Sequence, residues 1–109
     1  MSDAANKTAT LLAALWERNR PVVEERLATL DRAAEALGVD ALDAPLRGEA
    51  ICSSHKLAGS LGMYGYDEGT RVAREIEVML AGASPCGVRM RALVAELRAA
   101  VFPLDQGGR

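Results

Sequence analysis

Apolar residues in this chain recur at spacings of three and four over almost its whole length, interrupted only at glycine and proline, and that pattern leaves room for helices and little else. Val23, Leu27, Leu30, Ala34 and Leu37 make one stripe; Leu46, Ala50, Ser53, Leu57, Leu61 and Tyr64 a second. Val72, Ile76, Met79 and Leu80 make a third, and Met90, Leu93, Val94, Leu97 and Val101 a fourth. A shorter one-sided cluster, Leu11, Leu12, Leu15 and Trp16, follows Thr8 and Thr10. Ala, Leu, Val, Glu and Arg dominate, which favours helix and leaves few strand signals.

The punctuation marks where each helix begins and ends. Pro21 suits the first turn of a helix, where its missing N–H has no intrahelical acceptor, and Gly38 is a natural stop. Asp43 or Ala44 ahead of Pro45 opens the next, which runs through Tyr64 as a rod of roughly 30 Å and ends at Gly65. Asp67 is placed to cap the following helix, and Glu68 complements its positive end. Gly82-Ala83-Ser84-Pro85 combines stop, cap and start, so the last helix turns back sharply. The expectation is an all-α fold: an antiparallel up-down four-helix bundle with an additional short N-terminal helix lying as a lid. It forms one domain over residues 1–109, with an ordered core of about 8–102 and a mobile tail at 103–109.

Several function classes are disfavoured on composition. A net charge of −2 with interspersed signs offers no basic stripe for nucleic acid. No apolar run reaches the ~20 residues of a membrane span, and the first residues lack a secretion signal's apolar core, so a cytoplasmic location is expected. Cys52 and Cys86 read as reduced thiols. Cys52 and His55 are close enough on a helix to share a metal with Cys86, but four ligands are not to hand and no metal site is expected. Gly59, Gly62 and Gly65 lie in or at the end of a helix, so they form no phosphate-cradling loop for ATP.

His55 is the one histidine. On a helix of about 3.6 residues per turn it points nearly opposite the Leu46–Tyr64 stripe. Around it fall Gly48, Ile51, Cys52, Ala58, Gly59 and Gly62, small or apolar where a solvated face would carry charge. That pattern suits docking, with Ile51, Cys52, Ala58, Gly62 and Met63 as the rim. Each glycine inside a helix costs ~0.5–1 kcal/mol relative to alanine. Clearance above the imidazole accounts for Gly59 and Gly62 better than close helix crossing does, because the core stripe lies on the other side. A neutral imidazole has one nitrogen lone pair free to attack a phosphoryl group and hold it as a phosphoramidate. Lys56 is the nearest cation for the transferring oxygens, and Arg47 is two turns off. The helix offers no carboxylate within a turn to orient the ring, which disfavours self-contained hydrolysis.

His55, Leu57, Gly59, Ser60, Gly62 and Gly65 resemble, in register, the pattern of the histidine-containing phosphotransfer domains of bacterial phosphorelays. The helix arrangement resembles that family over nearly the whole chain. The resemblance implies a monomeric carrier, without kinase or hydrolase activity of its own, that takes a phosphoryl group on His55 from a receiver-domain phospho-aspartate or an upstream hybrid kinase and passes it to another receiver. It implies no intrinsic cofactor, magnesium being supplied by the receiver. Leu57 would be core, Gly59 clearance, Ser60 a tolerated small residue and Gly65 the helix end. The lysine often found three residues after the histidine is Ala58 here, which leaves charge neutralisation to Lys56 or to the partner. A different class of function fits the same patch: a helical adaptor that binds receivers or a kinase without being phosphorylated. A bundle used for oligomerisation is a third, and would expose a larger apolar surface.

Overall fold

The computed structural model describes residues 3–102, with side chains from residue 6 onward. Among these there are four helices and no strand: α1 (Asp3–Gly38), α2 (Ala44–Met63), α3 (Asp67–Ala81) and α4 (Gly87–Val101). α1 packs on α2 and α4, and α3 packs on α2 and α4, so the helices form a ring of neighbours around a shared core. Val23, Leu27 and Leu30 from α1 meet Leu57 and Leu61 from α2, Val72, Ile76 and Leu80 from α3, and Met90, Leu93 and Leu97 from α4, all essentially without solvent exposure. Burying each of these side chains contributes ~1.5–3 kcal/mol. The tail expected at 103–109 lies outside the described residues.

The expected separate N-terminal helix is instead the first part of α1, which continues through Pro21 for 36 residues. No glycine or capping pair separates Trp16 from Pro21, so nothing other than the proline stops the helix there. A proline inside a helix costs ~3 kcal/mol. Offsetting it, the side chain of Arg20 pairs with Glu17 at 3.4 Å and Glu24 at 3.7 Å, one on each side of Pro21. The Arg20 guanidinium also lies 4.7 Å from the Phe102 ring centroid. Trp16 anchors the continuation, its ring 5.3, 5.0 and 6.1 Å from those of Tyr64, Tyr66 and Phe102. The lid is confined to this aromatic cluster: the continuous helix, about 54 Å long at 1.5 Å per residue, outruns its 15- to 20-residue neighbours and leaves Leu11 60 % exposed.

The boundaries of α2 follow the sequence closely. Asp43 is its N-cap, with Oδ1 accepting from the Leu46 N–H at 2.9 Å, and Pro45 occupies the first turn. At the other end the Tyr66 N–H reaches Leu61 O at 3.0 Å and the Gly65 N–H reaches Gly62 O at 3.1 Å, closing the helix around Gly65 at φ +84°. That left-handed backbone favours glycine. Two other boundaries differ from expectation. Asp67 is the first residue of α3 rather than its cap, the cap position being Tyr66 without a side-chain hydrogen bond. α4 starts at Gly87, two residues past Pro85, where a Cβ would stand 3.2 Å from the Gly38 and Leu37 backbone.

Candidate functional site

The buried face of α2 consists of Ala50, Ser54, Leu57, Ala58 and Leu61, a stripe rotated toward α3 relative to the one read from sequence. Ser54 replaces Ser53 in it, donating its hydroxyl back to the Ala50 carbonyl at 2.8 Å. The rotation has a cause in how α2 and α3 meet. Thr70 of α3 donates its hydroxyl to the Ala58 carbonyl at 3.1 Å, and a Cβ on Gly62 would stand 3.3 Å from the Thr70 Oγ1. Gly62 therefore serves a close helix approach rather than the expected clearance above the imidazole, although it is exposed. Ala58 is 3 % exposed and does not belong to the docking rim. Ile51 is half-buried against the core, whereas Cys52 and Met63 are exposed as expected.

His55 sits on the shoulder of α2 next to α3, with its side chain 75 % exposed. Its Nδ1 lies 3.0 Å from Oε2 of Glu77 on α3. A carboxylate oxygen can only accept, so this contact puts the ring proton on Nδ1 and leaves the lone pair on Nε2. The orienting carboxylate absent from α2 itself thus arrives from the neighbouring helix. His55, Ala58, Gly59, Arg74 and Glu77 line a hollow of about 310 Å³. A Cβ added at Gly59 meets nothing within 4 Å, so this glycine leaves open space beside the imidazole rather than admitting another backbone.

The cation of this hollow is Arg74, not Lys56. Lys56 lines a separate polar groove between α1 and α2, together with Glu25, Arg26, Arg32 and Glu49. Arg47 is committed elsewhere: its guanidinium donates to the carbonyls of Leu80, at 2.7 Å, and Gly82, closing the end of α3. Ser60 is half-buried, and its Oγ has no hydrogen-bond partner among the described residues. Cys52 and Cys86 are free and exposed. Among the described residues no group of three or more His, Cys, Asp or Glu is placed to hold a metal ion, and no helix is long and apolar enough to cross a membrane.

Glu77 and Arg74 were missed in the sequence because charged residues on an amphipathic helix look alike until its neighbour is known. One signal was present. Counting outward from the turn at Gly65 and Tyr66, His55 and Glu77 stand at nearly equal distances, as the two sides of a helical hairpin would.

Comparison with protein-family models, with characterised proteins and with solved structures found no match.

A carboxylate–imidazole pair in an open hollow that also carries Arg74 leaves Nε2 accessible and able to act as a nucleophile. Among the described residues the hydrogen-bond partner of the ring is Glu77, and no serine hydroxyl or cysteine thiol is hydrogen-bonded to it.

Proposed function

We propose that this chain is a histidine phosphotransfer protein, with His55 as the group that receives and gives up the phosphoryl moiety. The observation that carries this reading is the Nδ1 contact to Glu77, which frees Nε2 on a ring that is three-quarters exposed beside the open space at Gly59. Nε2 attacks the phosphorus of an aspartyl phosphate on a receiver domain. The P–N bond forms as the P–O bond to the aspartate breaks, and the aspartate leaves as a carboxylate. No proton has to move, because the positive charge gained by the ring is shared with Nδ1–H and faced by Glu77. The reverse step returns the group to a second receiver. The magnesium ion and acidic pocket belong to the receiver, and the histidine protein supplies the nucleophile on a matching surface.

On this reading the helices alternate up and down, and the protein is cytoplasmic and monomeric. The docking surface is the ridge of Cys52, Gly59 and Met63 around His55, with Ile51 at its edge. Gly62 is at the margin, held by its packing on Thr70. The resemblance of His55, Leu57, Gly59, Ser60, Gly62 and Gly65 to the phosphotransfer pattern supports the same conclusion.

The test is incubation with phosphorylated receiver domains and magnesium, followed by mapping of acid-labile phosphate, with His55→Gln as control. Label on His55 that a second receiver removes is the expected result. Binding of receivers without label would replace the carrier by a non-phosphorylated adaptor.

A further inference from the structure

Two arginines lie one turn apart on α3, and the structure gives them opposite surroundings. Arg71 is saturated: its guanidinium pairs with Glu68, with Glu75 at 2.8 Å and with Glu96 at 3.0 Å. Arg74 makes no ion pair or hydrogen bond among the described residues, although it lines the same hollow as His55 and Glu77. Elsewhere Arg89 pairs with Glu75 and Arg98 grips Asp31 through two nitrogens, while Arg18, Arg26 and Arg91 share Arg74's lack of an ion pair among the described residues; what sets Arg74 apart from these is its place in the hollow of His55. An exposed Arg lining a partly enclosed hollow is suited to a tetrahedral oxyanion, which its planar fork can hold by two N–H groups.

We propose that Arg74 is a phosphoryl-binding residue: it engages the non-bridging oxygens of the group on His55, doing from the adjacent helix what the sequence assigned to Lys56. The inference rests on the phosphotransfer reading and deepens it. Three features divide the labour within one hollow. Glu77 holds Nδ1 and so directs the phosphoryl group to Nε2, the open position at Gly59 gives the group room, and Arg74 neutralises its oxygens. Glu77 cannot do the last, since one carboxylate beside the phosphoryl oxygens repels them. A cation on the far side of the ring from α1 also leaves the groove containing Lys56 free for other contacts.

The test needs no cognate receiver. Phosphoramidate anion donates its phosphoryl group to imidazole: Nε2 attacks phosphorus, the P–N bond to the amine breaks, and ammonia leaves with the proton it requires from water. The intact chain, Arg74→Ala, Arg74→Lys and Lys56→Ala are each treated with phosphoramidate. Labelling of His55 and the subsequent loss of the phosphoryl group are followed by 31P NMR, with circular dichroism as the check on folding. Loss of one charge-assisted contact predicts labelling about tenfold slower in Arg74→Ala, partial recovery in Arg74→Lys, and little change in Lys56→Ala. The 31P chemical shift of the labelled protein should also move in Arg74→Ala, which a purely structural role would not produce. Equal labelling rates and shifts in the intact chain and Arg74→Ala would overturn the proposal, as would a larger loss in Lys56→Ala. If phosphoramidate does not label His55 at all, both this inference and the phosphotransfer reading fail. Normal Arg74 dependence with no transfer from any receiver would sink only the relay.

Discussion

Nδ1 of His55 and Oε2 of Glu77 stand 3.0 Å apart across the contact between α2 and α3, joining residues separated by 22 positions. The contact decides which nitrogen of the neutral ring keeps its lone pair, and it can be tested without any phosphoryl donor. In the neutral protein, 15N-detected NMR of the ring should report the Nδ1–H form, and Glu77→Ala should shift the ring toward the Nε2–H form that free imidazole side chains prefer. Labelling of His55 should slow about tenfold in the same variant, corresponding to about 1.4 kcal/mol of lost orientation. Glu77→Gln retains an acceptor and should fall between the two. An unchanged tautomer in Glu77→Ala would remove the basis for assigning the reaction to Nε2.

Gly59 and Gly69 look alike in the sequence and should respond in opposite ways to a methyl group. Gly59→Ala adds a Cβ to open space in a helix interior, which should raise stability by ~0.5–1 kcal/mol and the melting temperature by a few degrees. Gly59→Leu should also fold, yet lose transfer from phosphorylated receivers because its side chain stands beside the imidazole. In Gly69→Ala the new Cβ would meet Leu61 Cδ1 at 3.1 Å and Val101 Cγ2 at 3.3 Å. Overpacking of this kind costs ~1–3 kcal/mol and outweighs the helix-propensity gain. Urea unfolding checks both: the midpoint should rise for Gly59→Ala and fall for Gly69→Ala.

These contrasts mark what the sequence alone conveyed. Most of the core stripes of the other helices, Ala50, Leu57 and Leu61 of α2, the Asp43 cap, the stop at Gly65 and the exposure of His55 were legible because each depends on spacing within one helix or on the chemistry of one turn. The merging of the first helix through Pro21 was not, because it depends on Trp16 meeting Tyr64, Tyr66 and Phe102 from distant parts of the chain. The burial of Ala58 was missed for the same reason: Thr70 presses α3 against that side of α2. Half the candidate site was visible, namely His55 and Gly59. Its charged half, Glu77 and Arg74, came from a neighbouring helix whose register no pattern on α2 encodes.

The network around Arg71 makes a prediction about acid. The hydrogen bond from the Arg71 guanidinium holds the Glu68 carboxyl below the ordinary carboxylate range, with Coulomb attraction from the same group adding to it. A carboxyl whose pKa is lower folded than unfolded contributes stability that is fully present above the unfolded value and is lost as pH falls through the folded one. Melting temperature should therefore decline on acidification through and below the ordinary carboxylate range, and Glu68→Gln should flatten that part of the curve while changing little at neutral pH. Both side chains are more than half exposed, so the effect is small and should shrink further in high salt. A Glu68→Gln profile parallel to that of the intact protein would show that the ion pair contributes nothing in solution.

Arg47 tests whether the floor of the molecule beneath the site is held by one side chain. Its guanidinium reaches from α2 to the carbonyls of Leu80 and Gly82, where α3 ends with carbonyl groups that no later helical N–H can satisfy. Hydrogen bonds to a charged donor contribute ~1.5–3 kcal/mol, and leaving the carbonyls to water recovers part of that, so Arg47→Ala should destabilise the protein by about 1–2 kcal/mol. Lysine offers a point charge in place of the fork and should restore only a fraction. Hydrogen exchange separates this local role from a general loss of packing: protection should fall first in the last turn of α3 and the 82–86 connection, while the amides around Leu57 and Leu61 keep theirs until global unfolding. Because His55 lies two turns further along α2 and Glu77 sits within the last turns of α3, loosening that end should also weaken the His55–Glu77 contact. Slower labelling of His55 in Arg47→Ala, with Arg74 unaltered, is the expected functional consequence.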